Sequence, residues 1–478
     1  MFRTPYSSLP SCVHSSSKVR STSRLFSSSA IRSKQRLVIL GSGWGGYEVL
    51  RGVDKKRWNV TMLSPTNAFN FTPLLASCAV GTLEFRCAIE PVRKFSPQVA
   101  AYQAWCDAID FEQKTLKCMP ATPPLSFEKS SAPMVGNTTT ETQFPGTGTP
   151  FTLRYDKLVI SVGAYSQTFN VPGVKEYAHF LKDVRDARSI RTRIIECFEQ
   201  ANQPIISDVE RRRLLNFCIV GGGPTGVEFA AELHDLLHAE IEKHYPSLAR
   251  MAKITLYDVA PNILGNFDKS LGVYAVDKFQ RDGISIKTRH HVERVEKDKM
   301  FVKEQGEVPF GLLVWSTGLA PNPLIQSIKE VSKDEKTQSL LTDEQLNVIK
   351  QDGTPDPNVW AIGDASVIPN ARLPATAQVA NQKAKYLVKK LNKIVKDQEH
   401  TKPFEFLDLG SMAYLGDWKA IYDRSGADTG IKTKESGRLA WLLWRSAYFT
   451  MTLSLRNKIL VPMYWFMNWI FGRDLTRF

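Results

Sequence analysis

Val38-Ile39-Leu40-Gly41-Ser42-Gly43-Trp44-Gly45-Gly46 decides the fold of this 478-residue chain. An apolar run ends in Gly41-x-Gly43-x-x-Gly46 and passes into Tyr47-Glu48-Val49-Leu50, which a helix accommodates: strand, tight turn, helix start. Gly41 permits the turn, and Gly43 lets the backbone approach a pyrophosphate. Gly46, with Gly45 before it, lets helix and strand pack closely. The phosphates would rest on free N–H groups at the positive end of the helix dipole. Alone the spacing is a weak indicator, because a purely structural glycine turn has the same pattern. A second copy, Ile219-Val220-Gly221-Gly222-Gly223-Pro224-Thr225-Gly226-Val227-Glu228, follows 180 residues later. Two such units imply two dinucleotides held face to face.

Hydrophobic residues make up 43% and charged residues 23%, the proportions of a globular protein with room for two or three domains. The formal net charge of +14 admits nucleic acid or an anionic membrane as partner. No Lys/Arg stripe interleaved with aromatics stands out in the body of the chain, which argues against nucleic acid. Cysteines 12, 78, 87, 106, 118, 197 and 218 are scattered, with no CxxC and no metal-ligand spacing. They read as buried or free thiols in a reducing compartment, and no metal site is expected. Residues 1–35 carry Arg3, Lys18, Arg20, Arg24, Arg32, Lys34 and a dozen serines, and the first acidic residue of the chain is Glu48. That is transit-peptide composition. Arg24-Leu25-Phe26-Ser27 is similar to a mitochondrial processing site, and no stop-transfer segment follows, so the mature protein is expected on the matrix side.

Residues 58–64 read as the second strand of the first unit. Ser64 stands at its end, where an acidic residue commonly holds the ribose. Thr72 and Pro73 lie in a loop that could meet a flat aromatic ring. Residues 119–150, rich in Pro, Thr, Ser and Gly, read as a loop insertion without chemistry. Residues 158–163 form a buried strand ending in Gly163, a pattern that Leu312–Gly318 repeats, with Thr317 and Gly318 at its end. The helix of the second unit is expected over 225–244, with an exit loop at 246–252. Asp258 ends the next strand, 32 residues after Gly226, and is the acid that the second fingerprint requires. It accepts hydrogen bonds from both ribose hydroxyls and repels a 2′-phosphate, favouring NADH over NADPH. Gly363-Asp364 places a carboxylate where the ribitol hydroxyls of a flavin could bind. Residues 373–382 open a helix with Pro374 in its first turn. Gln378 and Gln382 share a face of it, and Ala377 is small enough for a ring to approach.

Assembled, these pieces resemble the type II (alternative, non-pumping) NADH:ubiquinone oxidoreductases of mitochondria and bacteria. The pieces are Gly41–Gly46, Phe71-Thr72-Pro73-Leu74-Leu75, Gly221–Glu228, Ser316-Thr317-Gly318, Gly363-Asp364 and Ala377-Gln378-Val379-Ala380-Asn381-Gln382. The glycine and Gly-Asp pieces belong to all two-dinucleotide flavoproteins; the Ala-Gln-x-Ala-x-Gln segment is more specific. The resemblance implies non-covalent FAD on the first unit, NADH on the second and ubiquinone near Gln378 and Gln382. It also implies that Glu228 borders the nicotinamide and quinone side of the flavin. Hydride then passes from nicotinamide to flavin directly, and the protein supplies positioning and electronic tuning. The EF-hand loop of calcium-responsive relatives is missing, so calcium control is not expected.

Residues 438–478 hold ten aromatics, alternating with Arg438, Arg445, Arg456, Lys458, Arg473 and Arg477. The longest charge-free run, 459–472, is too short to span a bilayer. Two amphipathic helices, near 439–455 and 459–471, are expected to lie on the inner-membrane surface, with Arg on anionic lipid, and to support a homodimer. The expected architecture is therefore α/β: two Rossmann-like dinucleotide-binding domains and a C-terminal amphipathic helical membrane-anchoring region. Residues 36–213 and 312–400 form the FAD domain, 214–311 the NADH domain and 401–478 the anchoring and dimerisation region. The alternatives are a flavin-dependent reductase of a soluble acceptor and a flavoprotein like apoptosis-inducing factor. Disulfide and sulfide:quinone reductases need a close-spaced cysteine pair that Cys78 and Cys87 do not make.

Overall fold

Apolar residues at alternate positions of the first strand face opposite sides, as a pleated strand covered on both faces requires. Leu37 and Ile39 join one core with Tyr47, Val49, Leu50, Val60, Met62 and Trp360. Val38 and Leu40 join another with Leu63, Leu158, Ile160, Val359 and Ala361. A computed structural model describes residues 34–122, 149–427 and 431–476. The transit segment and most of the 119–150 insertion, with Cys12, therefore lie outside the described residues.

The first sheet has eight strands in the order Asn347–Ile349, Pro355–Ala361, Lys157–Ile160, Arg36–Leu40, Asn59–Ser64, Val99–Asp110, Thr115–Pro120 and Phe151–Arg154. The five from Pro355–Ala361 to Val99–Asp110 are parallel, and the outer strands are antiparallel additions. Leu40 lies opposite both Leu63 and Ile160, and Ile160 opposite Ala361. Four strands thus end at one edge, where Ser64 closes its strand and Gly41, Gly163 and Gly363 follow theirs within three residues. Ligands of open α/β sheets bind outside such carboxyl ends.

The second sheet is wholly parallel, in the order His179–Phe180, Leu312–Trp315, Asn216–Val220, Lys253–Asp258 and Ser285–Thr288. This corrects two boundaries, the first being that His179–Phe180, expected within 36–213 of the FAD domain, pairs with Leu312–Trp315 in the second sheet. Expected in the returning part of the first domain, Leu312–Trp315 instead pairs with Asn216–Val220 inside the second sheet. A buried run ending in Gly is the same local pattern in either sheet, so only pairing settles its place.

The helix after the second glycine motif, Pro224–Leu236, continues through a π turn, Leu237–Ile241, into Glu242–His244. The expected exit loop contains a short helix, Pro246–Ala249. Pro374 falls outside the helix it was expected to open: Ala377–Ile394 begins after Thr376, whose hydroxyl caps Val379 N at 3.3 Å. Ahead of the tail helices stands an antiparallel three-stranded sheet, Ser411–Gly416, Lys419–Asp423 and Lys434–Gly437, which the sequence did not suggest.

The tail helices are Arg438–Met451 and Leu455–Phe471. Among the described residues no helix is long and apolar enough to cross a membrane. Two of the tail cations, Arg445 and Arg473, turn inward rather than to solvent, and the exposed Arg456 is tied to the body of the chain. Arg445 lies over the rings of Trp441 and Trp465, Arg456 donates to Ile89 O at 2.8 Å, and Arg473 donates to Thr82 Oγ1 at 3.0 Å. Exposed instead is an apolar set that includes Leu442, Leu455, Phe466, Trp469 and Phe471.

Candidate active site

The two glycine motifs fold alike, and each glycine has a separate job. Gly41 and Gly221 turn at φ +93° and +114°, a region closed to most side chains. A Cβ on Gly46 would fall 1.8 Å from Gly41 O, and one on Gly226 would fall 2.0 Å from Gly221 O. These two glycines exist for close packing. Gly43 and Gly223 would meet nothing within 4 Å, which leaves open space in front of each helix N-terminus for a phosphate. Gly45 sits against Ile362, where a Cβ would come within 3.0 Å of its Cδ1.

Two serines staple these turns, and sequence reasoning missed both. Ser161 Oγ donates to Leu40 O at 2.7 Å; Ser316 Oγ donates to Val220 O at 3.2 Å and Gly221 O at 3.3 Å. The readable signal was the duplicated Ser-x-Gly in Ser161-Val162-Gly163 and Ser316-Thr317-Gly318. The crossovers beyond them meet, for Tyr165–Ser166 pairs antiparallel with Leu319–Ala320. Thr317 Oγ1 donates to Gln167 O, and Gln167 N donates to Gly318 O at 2.8 Å. The two sheets are thus joined next to both strand-end clefts.

In the first cradle Ser64 is buried, and its hydroxyl lies 3.0 Å from Ser42 Oγ. That occupies it within the protein. Thr72 and Pro73 start a short 3₁₀ turn, with Thr72 Oγ1 accepting from Trp44 Nε1 at 3.0 Å. Gly363 turns at φ +72° and presents Asp364, whose carboxyl burial pushes up while Lys182 and Lys383 pull it down through space. Neither lysine was singled out from sequence. Burial lowers the Lys383 ammonium to about 8. In the second cradle Asp258 accepts from Gly222 N and, at 2.7 Å, from Ala260 N. It stands at the end of its strand, beside the turn, as the fingerprint requires.

Gln378 and Gln382 do share a helix face, but their amides are already engaged. Gln378 donates to Gly410 O at 3.2 Å and accepts from Leu409 N at 3.0 Å. Gln382 donates to Leu407 O at 2.8 Å and accepts from Leu407 N at 3.0 Å. The pair imitates a neighbouring strand for residues 407–410. Ala377 is half-buried at the helix start.

Glu228 is buried on the second glycine helix, and one of its oxygens does all the bonding. Oε1 accepts from Tyr414 N and from Trp444 Nε1, both at 3.1 Å. Burial outweighs these bonds and pushes the carboxyl up to about 7. Trp444 stacks on Tyr414 with centroids 5.2 Å apart and meets Tyr448 at 4.8 Å. The tail therefore closes over an acid that sequence placed only at a helix start. The six described cysteines are free, and five of them are buried.

Residues 35–384 match the family described as Pyridine nucleotide-disulphide oxidoreductase, and residues 409–474 match the NDH2 C-terminal domain. A "Probable NADH dehydrogenase" of Dictyostelium discoideum is 39% identical, over 93% of this chain and 91% of that protein. An "Internal alternative NAD(P)H-ubiquinone oxidoreductase A1, mitochondrial" of Solanum tuberosum is 37% identical, over 93% and 88%. The solved structure of NDH2 from Plasmodium falciparum in complex with NADH superposes with a TM-score of 0.80 at 27% identity. It covers 93% of this chain and 100% of that one.

Proposed function

The chain belongs to the pyridine nucleotide-disulphide oxidoreductases and, among them, to the type II NADH:ubiquinone oxidoreductases, and on that footing we propose how its site works. It oxidises NADH and reduces ubiquinone without pumping protons. The observation that carries this is the pair of open glycine cradles on two joined sheets, beside an acid sealed by the C-terminal helix.

The first cradle fits FAD: Gly43 leaves room for its pyrophosphate, and Asp364 offers a carboxylate for its ribitol hydroxyls. FAD bound there supplies the two-electron relay between donor and acceptor. Gly41, Gly45, Gly46, Gly163, Gly363, Thr72 and Pro73 shape that cradle, and Ser64 supports it from behind through Ser42. Gly221, Gly223, Pro224, Thr225 and Gly226 receive the NADH pyrophosphate, with Thr317 and Gly318 at the neighbouring strand end. Asp258 holds the ribose, where a 2′-phosphate would meet its charge. The N-terminus of Ala377–Ile394 would offer its positive end to a flavin held in that cradle and so favour negative charge on it. Gln378 and Gln382 bound the quinone side by holding residues 407–410 in place.

Glu228 holds a proton near neutral pH. Because Tyr414 N and Trp444 Nε1 both address Oε1, that proton rests on Oε2, free to pass to a reacting oxygen. The exposed apolar set on the tail helices supports seating on the inner-membrane surface. That surface also serves as the contact with a second copy. The basic, acid-free residues 1–35 support a mitochondrial address on the matrix side. The purified flavoprotein should reduce ubiquinone analogues rapidly with NADH. Turnover with soluble acceptors while every quinone fails would sink this proposal.

A further inference from the structure

Overall, NADH gives up two electrons and one proton, whereas a quinone takes two electrons and two protons. One proton per turnover must therefore come from water. Glu228 alone cannot provide it repeatedly, because the tail seals it from solvent. We propose that Glu232, Tyr414 and Asp235 form a relay that carries this proton from the aqueous rim to Glu228. The inference rests on the quinone-reductase reading above.

Glu228, Glu232 and Asp235 lie at i, i+4 and i+7, on one face of Pro224–Leu236. Glu228 and Glu232 are buried, at 9% and 4% exposed, whereas the Asp235 side chain at the rim reaches 16%. Hydroxyls bond the two outer acids, Glu232 and Asp235. Tyr414 OH donates to Asp235 Oδ2 at 2.6 Å, Ser77 Oγ to Glu232 Oε1 at 2.6 Å and Thr82 Oγ1 to Glu232 Oε2 at 2.8 Å. Tyr414 spans the ladder, since its backbone N meets Glu228 while its phenol meets Asp235.

Two orphaned nitrogens independently call for water along this face. Arg473 Nη1 and His234 Nδ1 are buried without a hydrogen-bond partner. Arg473 Nη2 lies 3.8 Å from Glu232, and His234 Nδ1 lies 3.8 Å from Asp235. Polar atoms left in such positions are where ordered water binds. The charged groups facing the ladder are Arg473 and Arg445 from the tail and Asp417, paired with Lys419, from the hairpin at the rim. Desolvation raises the Glu232 carboxyl against the pull of Arg473, and burial carries Tyr414 well above its usual range. A network built only to bind the tail would require one acid facing Arg473, and two further acids on the same face exceed that need.

The test compares acceptors on flavin-loaded Asp235→Asn, Tyr414→Phe and Glu232→Gln proteins. Ubiquinone reduction consumes a proton from water, whereas ferricyanide takes electrons only. The relay predicts that quinone turnover falls about tenfold or more while ferricyanide turnover stays within about twofold. The solvent deuterium effect should grow on the quinone branch alone. Equal losses with both acceptors, or no loss with either, would overturn it. Asp235 and Tyr414 decide the matter if the buried Glu232 variant does not fold. A wild-type protein unable to reduce any quinone would instead refute the underlying function.

Discussion

Gly223→Ala separates nucleotide binding from folding. Gly223 has φ −75° and ψ 177°, which any residue adopts, and its new Cβ meets no atom within 4 Å. The fold and the first cradle should be untouched. The methyl group would fill the space through which a pyrophosphate reaches the helix start. Val227 N is the first amide to bond back, to Gly223 O at 3.0 Å, and Pro224 has no N–H. Thr225 and Gly226 N–H are therefore the donors at stake. Losing two charge-assisted bonds at about 1.5 kcal/mol each weakens NADH binding by about 3 kcal/mol, roughly a hundredfold in KM. Gly226→Ala should behave oppositely. Its Cβ would press to 2.0 Å from Gly221 O and 2.7 Å from Ser316 Oγ, so the protein should lose about 3 kcal/mol of stability or fail to fold. The assay is a flavin spectrum, a thermal melt and KM for NADH on each variant. A Gly223→Ala protein with reduced melting temperature, lost flavin or unchanged KM would refute the assignment of that space to phosphate.

Glu228→Gln should flatten the pH dependence of stability. Between the unfolded value, 4.5, and the folded value, about 7, the native protein holds a proton that the unfolded chain releases, so stability falls as pH rises through that window. The fall is about 3 kcal/mol and should vanish in the variant, whose Oε1 can still accept both bonds; denaturant titrations at pH 5 and pH 8 measure it. Gln382→Ala removes both of its bonds to Leu407, so residues 401–410 should become cleavable by limited proteolysis and KM for quinone should rise several-fold with KM for NADH unchanged. Unchanged cleavage would show that the amide does not hold that segment. Replacing Trp469 and Phe471, 70% and 74% exposed, by serine should abolish flotation with anionic vesicles and leave ferricyanide turnover intact. Full flotation would remove lipid as the occupant of that face.

The residues that specify each cradle were legible because their causes are local. A glycine needed at positive φ, an open position before a helix and a strand ending in Asp258 all act within a few bonds of chain. Periodicity likewise identified the tail helices to within a few residues. Local sequence did not reveal that Ser64 is spent on Ser42, or that Gln378 and Gln382 face a peptide backbone. It did not reveal the Lys182 and Lys383 pair around Asp364, since charge proximity has no sequence period.

What the sequence by itself determined is the twofold nucleotide architecture, because glycine stereochemistry and strand periodicity are short-range constraints written at each position. What only the tertiary structure decided is the environment of Glu228. Its partner Trp444 is 216 residues away, and Tyr414 N is 186 residues away. A carboxyl becomes an acid poised near neutral pH by losing water to surfaces that distant segments bring together, and desolvation is a property of the packed whole.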